Sequence, residues 1–74
     1  MIAEHDVVVL MVDLPQHRLL KGDAGTVVTP PEREPFMVEF TDPFGRMVAL
    51  EPLSLKQVRP LDKDEVLVHR AKAV

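Results

Sequence analysis

The stretch FMVEFTDPFGRMVAL, residues 36–50, decides the fold because it has the pattern of an antiparallel hairpin. In its centre, TDPFG (41–45), a proline follows the aspartate, and a glycine takes the fourth place of the turn that Asp42 begins. This order is typical of a type I turn. The apolar runs on either side, 36–40 and 46–50, are therefore predicted to pair as strands.

All three phenylalanines of the chain lie in this hairpin. Phe36 and Phe40 share one face of the first strand with Val38, because side chains alternate along a strand, and we expect them in the core. Phe44 lies in the turn, where we expect it to pack against the turn itself.

The prolines extend this interpretation to the rest of the chain. Proline lacks the N–H that a sheet requires, and nearly all seven prolines fall between short apolar runs or at their ends. The sequence therefore predicts a mainly all-β fold, a small five-stranded barrel of the SH3-like type, over residues 1–61. Strands are predicted at 7–12, 25–28, 36–40, 47–50 and 57–61, with a 3₁₀ turn expected in 51–55.

The first strand, VVVLMV at 7–12, is apolar on both faces. The outer strand face of a monomeric barrel is normally polar, so something is expected to cover one face of this strand. The tail, residues 62–74, is a candidate for the cover, as a short helix or as an extra strand. Asp62 and Glu65 have the spacing of a capping box, which favours a helix, whereas the β-branched residues of VLV at 66–68 favour a strand. The resulting contact surface, within the chain or with a neighbour, is predicted to contain Val8, Leu10, Val12, Leu67 and Val68.

The glycines of LLKGDAGTVV, residues 19–28, are predicted to shape a corner of the fold. A phosphate-binding P-loop places its lysine after the second glycine and before a helix, whereas here the lysine precedes the first glycine. Gly22 and Asp23 are therefore predicted to form a turn. Gly25 is expected to permit a bulge or a close approach of two strands.

The charge and composition of the chain argue against several functions. The net charge is −3, so nucleic acids and anionic membranes are poor default partners. The longest apolar run has six residues, too few to span a membrane, and the acidic start does not resemble a signal peptide. With no cysteine, disulfides are excluded and a cytoplasmic location is expected.

The sequence offers no catalytic constellation and no cofactor site. Ser54 is the single serine, there is no cysteine, and the carboxylates Glu39 and Asp42 have structural explanations in a strand and a turn. Four metal-ligating side chains lie near the N-terminus, but their spacing does not bring three together, so no metal is predicted. These four are His5, Asp6, Asp13 and His17.

Five segments together resemble a family of very small, uncharacterised bacterial proteins, a domain of unknown function. They are HDVVVLMVDLP (5–15), GDAGTVV (22–28), F-x-VEF-x-D (36–42), G-x-x-x-AL (45–50) and QVRPL (57–61). The resemblance implies a small SH3-like β-barrel, but it brings no known activity or site. The glycine corner also resembles that of KOW modules, and the whole resembles SH3-like docking domains of some bacterial enzymes, in fold only.

The sequence thus predicts a small non-enzymatic protein-binding or assembly module that self-associates or docks on a partner protein. True SH3 ligands are excluded, since the chain has no Trp or Tyr with which to line a polyproline groove. Two alternatives stay open. One is an accessory subunit with a small-molecule pocket at a subunit interface. The other is a KOW-type nucleic-acid-associated barrel, with contacts at Arg18, Lys21, Arg46, Lys56 and Arg59.

Overall fold

The protein folds around a single antiparallel sheet. A computed structural model describes residues 1–65. Within them the strand order is β4-β3-β2-β1-β5, so the predicted all-β class and the five strands are confirmed. The strands are β1 (Val7–Leu10), β2 (Ala24–Val27), β3 (Phe36–Thr41), β4 (Met47–Leu53) and β5 (Val58–Pro60), and two 3₁₀ turns lie at Pro15–His17 and Leu55–Gln57.

The sheet is open at both ends of this order. Among the described residues β4 pairs only with β3, and β5 only with β1, so the sheet does not close on itself as a barrel. In the same part of the chain, no helix has the length and apolar character needed to cross a membrane. Residues 66–74, which include the predicted contacts Leu67 and Val68, lie outside the described residues.

The turn of the central hairpin has the predicted chemistry. The Gly45 N–H donates to the Asp42 carbonyl at 3.0 Å, and Gly45 has a φ of 82°, which a glycine adopts readily. The Asp42 side chain accepts two further bonds, from the N–H groups of Phe44 and Arg46, both at 2.9 Å. One carboxylate therefore fixes the whole turn between β3 and β4.

Strand β4 is longer than predicted, because it continues through Pro52 to Leu53. Pro52 pairs with Met37 of β3. On its other side, toward β2, the Met37 carbonyl accepts a hydrogen bond from the Val28 N–H. Because the main-chain groups of Met37 point toward β2, Met37 and Pro52 form a non-hydrogen-bonded pair of the β3–β4 ladder. The nitrogen of Pro52 therefore points away from β3. A proline is tolerated there because no ladder bond is lost.

The core is formed by one face of the sheet and by the long connection between β1 and β2. Val8 and Leu10 are 0% and 2% exposed, so the β1 face predicted to form a contact within the chain or with a neighbour is part of the core. Because the run of β1 is apolar throughout, its sequence does not indicate which alternate side chains point inward. Val9, on the other face beside Ala24 and Arg59, is buried too. Among residues 1–65, the core cluster is Val8, Leu10, Leu19, Val27, Phe36, Val38, Phe40, Leu53 and Val58.

The glycine corner has the two roles predicted for it. Gly22 has a φ of 97° in the turn that leads to β2, and its N–H donates to the Leu10 carbonyl. A Cβ on Gly25 would lie 2.7 Å from Val38 Cγ1 and 2.8 Å from Phe40 Cε1. Gly25 therefore permits the close approach by which these two side chains pack over β2.

One of the two bonds of the predicted capping box is present at the end of the described residues, while the Asp62 side chain accepts from Asp64 and not from Glu65. Glu65 Oε1 accepts from the Asp62 N–H at 2.9 Å, and Asp62 Oδ1 accepts from the Asp64 N–H at 3.1 Å. Whether the tail continues as a helix or a strand concerns residues 66–74 and stays a prediction.

Candidate functional site

A group of exposed apolar residues lies along the hairpin that β3 and β4 form. We define the hairpin surface as Phe44, Met47, Val48 and Leu50. Phe44 is 82% exposed in the turn, and the other three belong to β4, the edge strand of the sheet. Single exposed apolar residues need no explanation, whereas a group along one edge makes this hairpin the candidate surface.

The register of the hairpin places most of this surface on one face of the sheet. Met47 pairs with Thr41 and Leu50 pairs with Glu39, and paired residues of a ladder share a face. Thr41 and Glu39 alternate with the core residue Phe40, so they lie on the opposite face, away from the core. Met47 and Leu50 therefore lie on the outer face, and Glu39, which pairs with Leu50, contributes a charge beside them.

Phe44 and Arg46 form the tip of the hairpin. The expectation that Phe44 packs against its own turn is wrong, since Asp42 holds the turn by main-chain bonds and the ring lies outside it. The Arg46 guanidinium carbon is 5.7 Å from the Phe44 ring centroid, within the range of a cation–π contact. Hydrogen bonds, first among them the one from the Arg46 N–H, lower the pKa of Asp42. The tip is thus a preformed aromatic–cation pair.

The main chain of the β4 edge is poorly suited to pairing with another strand. Phe40 pairs with Ala49 and Thr41 with Met47, so Val48 is an extra, bulged residue. Pro52, two residues after Leu50, has no N–H to offer. A bulge and a proline on an edge strand are the features by which proteins prevent strand addition. The hairpin surface therefore offers side chains rather than a row of ladder bonds.

The comparisons with known proteins identify the family. A family model described as a domain of unknown function, DUF4926, matches residues 4–60. The chain belongs to the DUF4926 family. This confirms the resemblance over residues 5–61, and the match covers all five strands of the DUF4926 domain. No curated protein and no solved structure matches the chain.

The DUF4926 domain buries two of the three predicted contact residues in the first apolar run. Val8 and Leu10 are enclosed by the core, and Val12 is half-buried beyond the end of β1. The sequence reasoning therefore missed the exposed apolar group of β4. The sequence did contain one indication of it, because the run from Met47 to Leu50 is apolar on both faces of its strand, as β1 is. Which of the two runs lies at the edge depends on strand order, which is set by long-range pairing.

Two of the five proposed nucleic-acid contacts are engaged by acidic side chains of the same chain. Arg46 Nε bonds to Asp42 at 3.2 Å. Arg59 forms a bidentate contact with Glu65, with N–O distances of 2.8 and 2.6 Å. Arg18 also has an interaction partner. These contacts reduce the positive charge that is available to bind phosphates. The remaining two candidates, Lys21 and Lys56, lie in the β1–β2 connection and in the second 3₁₀ turn.

The Arg59–Glu65 contact predicts a pH dependence. The hydrogen bonds from Arg59 lower the pKa of Glu65 from 4.5 to about 2. A carboxyl with a lowered pKa stabilises the fold above its ordinary pKa, and the contribution is lost as the pH falls through the folded value. We expect Glu65→Gln to be less stable than wild type at about pH 6. This difference in stability is expected to disappear as the pH falls from 4.5 to about 2. Urea midpoints across this range measure it.

Asp64→Asn is the matched control for that experiment. It removes the same charge one residue earlier and leaves both Arg59 contacts in place. A pH profile for Asp64→Asn identical to that of Glu65→Gln would contradict the assignment to this ion pair and indicate a general charge effect.

The histidines and acids considered as metal ligands each have a local role in the DUF4926 domain. Asp6 accepts from the Ala3 N–H, and Asp13 accepts from the Lys21 N–H. His17 Nε2 lies 3.1 Å from a carboxylate oxygen of Glu51, which pairs with Val38 on the core face of β4. Over residues 1–65, no three such side chains form a group able to hold a metal ion.

A cleft between β5 and the Asp62–Glu65 turn gives little support to the small-molecule alternative. It is lined by Arg59, Asp62, Asp64 and Glu65. Small-molecule sites are mostly apolar with a few polar groups, whereas all four of these residues are charged.

Proposed function

We propose that this chain is a non-enzymatic protein-binding or assembly module of the cytoplasm that contacts its partner through the hairpin surface. The observation that carries the proposal is the exposed aromatic Phe44 at the end of an edge strand that also exposes Met47 and Leu50. Aromatic side chains with large exposed areas are the residues that most often dominate binding energy at interfaces.

The proposed mode of binding is side-chain docking. Strand addition derives its affinity from main-chain bonds along an exposed edge. Here the bulge at Val48 and the proline at position 52 interrupt the free edge of β4. Between them, Leu50 is the regular residue whose main-chain groups point away from β3. A partner therefore gains its affinity from burying Phe44, Met47 and Leu50.

Photo-crosslinking tests the proposal. Phe44 is replaced by p-benzoylphenylalanine in the full chain, which is expressed in its native host and irradiated, and the cross-linked protein is identified by mass spectrometry. We expect a discrete product that is lost when Leu50→Lys is added, because a lysine in the surface disfavours apolar burial. Leu50 is 44% exposed, so this substitution is expected to leave folding within about 0.5 kcal/mol of wild type.

Leu20 provides the matched control. It is a leucine of nearly the same exposure, 42%, in the connection between β1 and β2. We expect Leu20→Lys to leave the product from position 44 unchanged. Loss of the product with both variants, or no product from position 44, would contradict docking through the hairpin surface.

A further inference from the structure

The outer face of the sheet, away from the core, carries a row of side chains that crosses all five strands. Val7 pairs with Thr26. Glu39 pairs with Thr26 on one side and with Leu50 on the other. The Leu61 N–H donates to the Val7 carbonyl at 3.3 Å, so Leu61 continues the row at the end of β5. We call these residues the outer row. Three of them are apolar, whereas a sheet face in contact with water is normally polar.

The ion pair that follows β5 places the start of the tail on this same face. Arg59 pairs with Val9, which lies on the outer face of β1. The Arg59 guanidinium bonds to both carboxylate oxygens of Glu65, at 2.8 and 2.6 Å. Glu65 is the last described residue. The chain therefore reaches position 66 on the outer side of the sheet, at the β5 edge.

We infer that residues 66–74 dock along the outer row of their own chain, with Arg70 and Lys72 at Glu39. The tail then covers the outer face of β1, since the other face, with Val8 and Leu10, is filled by the core. This inference does not rest on the proposed function, because the docking site runs from β5 to β3, whereas the hairpin surface belongs to the turn and to β4.

The length of the tail fits this path. Neighbouring strands lie about 4.8 Å apart, so Glu39 on β3 lies roughly 14 Å from β5. The nine residues 66–74 span roughly 30 Å when extended and roughly 13 Å as a helix. In either form predicted for the tail, the long side chains of Arg70 and Lys72 reach Glu39.

The order of residues in the tail matches the order of the outer row. The apolar run VLV, residues 66–68, comes first, and the basic residues follow it. Beginning from β5, the outer row presents first the apolar side chains of Leu61 and Val7 and then the carboxylate of Glu39. Apolar residues of the tail thus meet apolar residues of the sheet, and its cations meet an acid.

The charges of the tail and of the rest of the chain are opposite in sign. Residues 1–65 contain seven basic and twelve acidic side chains, whereas residues 66–74 contain Arg70, Lys72 and no acidic side chain. Glu39 is half-buried and forms no ion pair within residues 1–65. A partly buried carboxylate is screened less by salt than an exposed one, so its attraction for the tail is stronger.

Covalent attachment favours the chain's own tail over any separate molecule. A short tether holds its segment at an effective concentration of roughly millimolar, so a small contact is occupied without a partner in solution. The same few apolar groups and ion pairs between separate molecules would bury too little surface for a stable complex.

A nitroxide spin label at Val74→Cys tests the position of the tail in the full chain, which has no cysteine of its own. We expect the label to remove the amide NMR signals of Thr26 and Glu39, and its reduction with ascorbate to restore them. Leu14 and Leu19 belong to the connection that packs on the core side, so their amides are expected to keep their signals. Equal losses at both pairs of amides, or no loss at any of them, overturns the inference.

Charge reversal tests the contact at Glu39. Glu39→Lys is expected to restore the Thr26 signal, and so is Arg70→Glu combined with Lys72→Glu, which leaves residues 1–65 unchanged. All three substitutions together are expected to bring back the loss. Glu32→Lys makes the same charge change at an exposed residue of the β2–β3 connection and is the matched control, expected to have no effect. Circular dichroism melts verify folding. A Thr26 loss that survives the tail variant, or that Glu32→Lys also abolishes, contradicts the inference.

Mixing distinguishes docking on the same chain from docking on another copy. Isotope-labelled protein without the spin label is mixed with spin-labelled protein that carries no isotope. We expect the Thr26 signal of the isotope-labelled protein to persist, and its loss would overturn docking within one chain. The cross-linking experiment at position 44 tests the hairpin surface separately, so either proposal can fail while the other stands.

Discussion

Gly25→Ala is expected to lower the free energy of unfolding by about 1–3 kcal/mol, although it adds a single methyl group. The new carbon would lie 2.7 Å from Val38 Cγ1 and 2.9 Å from Phe40 Cδ1. Both side chains are buried in the core, so neither has solvent to move into. Since about 1 kcal/mol shifts the melting temperature of a domain this size by roughly 4–8 °C, a thermal melt measures the effect directly.

A double-mutant cycle shows whether steric contact with the core causes this loss. Val38→Ala removes the nearest atom, Cγ1, and is destabilising alone because it leaves a cavity. Combined with Gly25→Ala, it is expected to cost less than the sum of the two, with a coupling energy of about 1 kcal/mol. Strictly additive effects would mean that the methyl group does not meet Val38.

Gly22 offers a contrast in mechanism. No atom lies within 4 Å of a Cβ built there, so Gly22→Ala acts only through its φ of 97°. Asparagine tolerates such left-handed conformations better than alanine. We therefore expect Gly22→Asn to be more stable than Gly22→Ala, and Gly25→Asn to be less stable than Gly25→Ala. The same order of stability at both positions would contradict this distinction.

Features that depend on local chemistry were predictable from the sequence. The turn at TDPFG forms as expected, because Asp42 and Gly45 carry within five residues all that the turn requires. The prolines indicated short strands and the all-β class for a similar reason. The roles of Gly22 and Gly25 followed from conformational freedom that glycine alone has.

Features that depend on long-range pairing were not predictable. The two faces of β1 are equally apolar, so the choice of Val8 and Leu10 as core residues is set by the strands on either side, β2 and β5. Phe44 was assigned to packing because phenylalanine is usually buried, yet its ring is 82% exposed and has the Arg46 guanidinium over it. The candidate binding surface was missed because it depends on β4 lying at the edge.

The long connection between β1 and β2 shows the same limit, because its two adjacent leucines have opposite fates. Leu19 is 1% exposed and belongs to the core, whereas Leu20 is 42% exposed. Reciprocal main-chain bonds between Leu14 and Leu19, at 2.7 and 3.2 Å, hold the connection as a closed loop. Arg18, in the left-handed region with a φ of 58°, turns the chain just before Leu19. This geometry directs Leu19 inward.

Leu19→Ala is therefore expected to cost about 2–5 kcal/mol, the usual range for truncating a buried leucine. A domain of this length has a total stability of roughly 4–11 kcal/mol, so the variant is expected to lose a large part of it. Leu20→Ala removes the same atoms and keeps the bond from the Leu20 N–H to Asp23, so it is expected to remain within about 0.5 kcal/mol of wild type. Urea denaturation of the two variants measures both values.

Hydrogen exchange then shows whether the connection is part of the core or an independent loop. If Leu19 anchors it, the amides of Leu14, Leu19 and Lys21, which donate to groups within the connection, should exchange faster in Leu19→Ala than in Leu20→Ala. Equal losses of stability in the two variants would contradict the burial of Leu19. Leu19 is one of the core residues packed against the sheet, and the connection supplies it. We therefore expect the β1–β2 connection to unfold together with the sheet rather than before it.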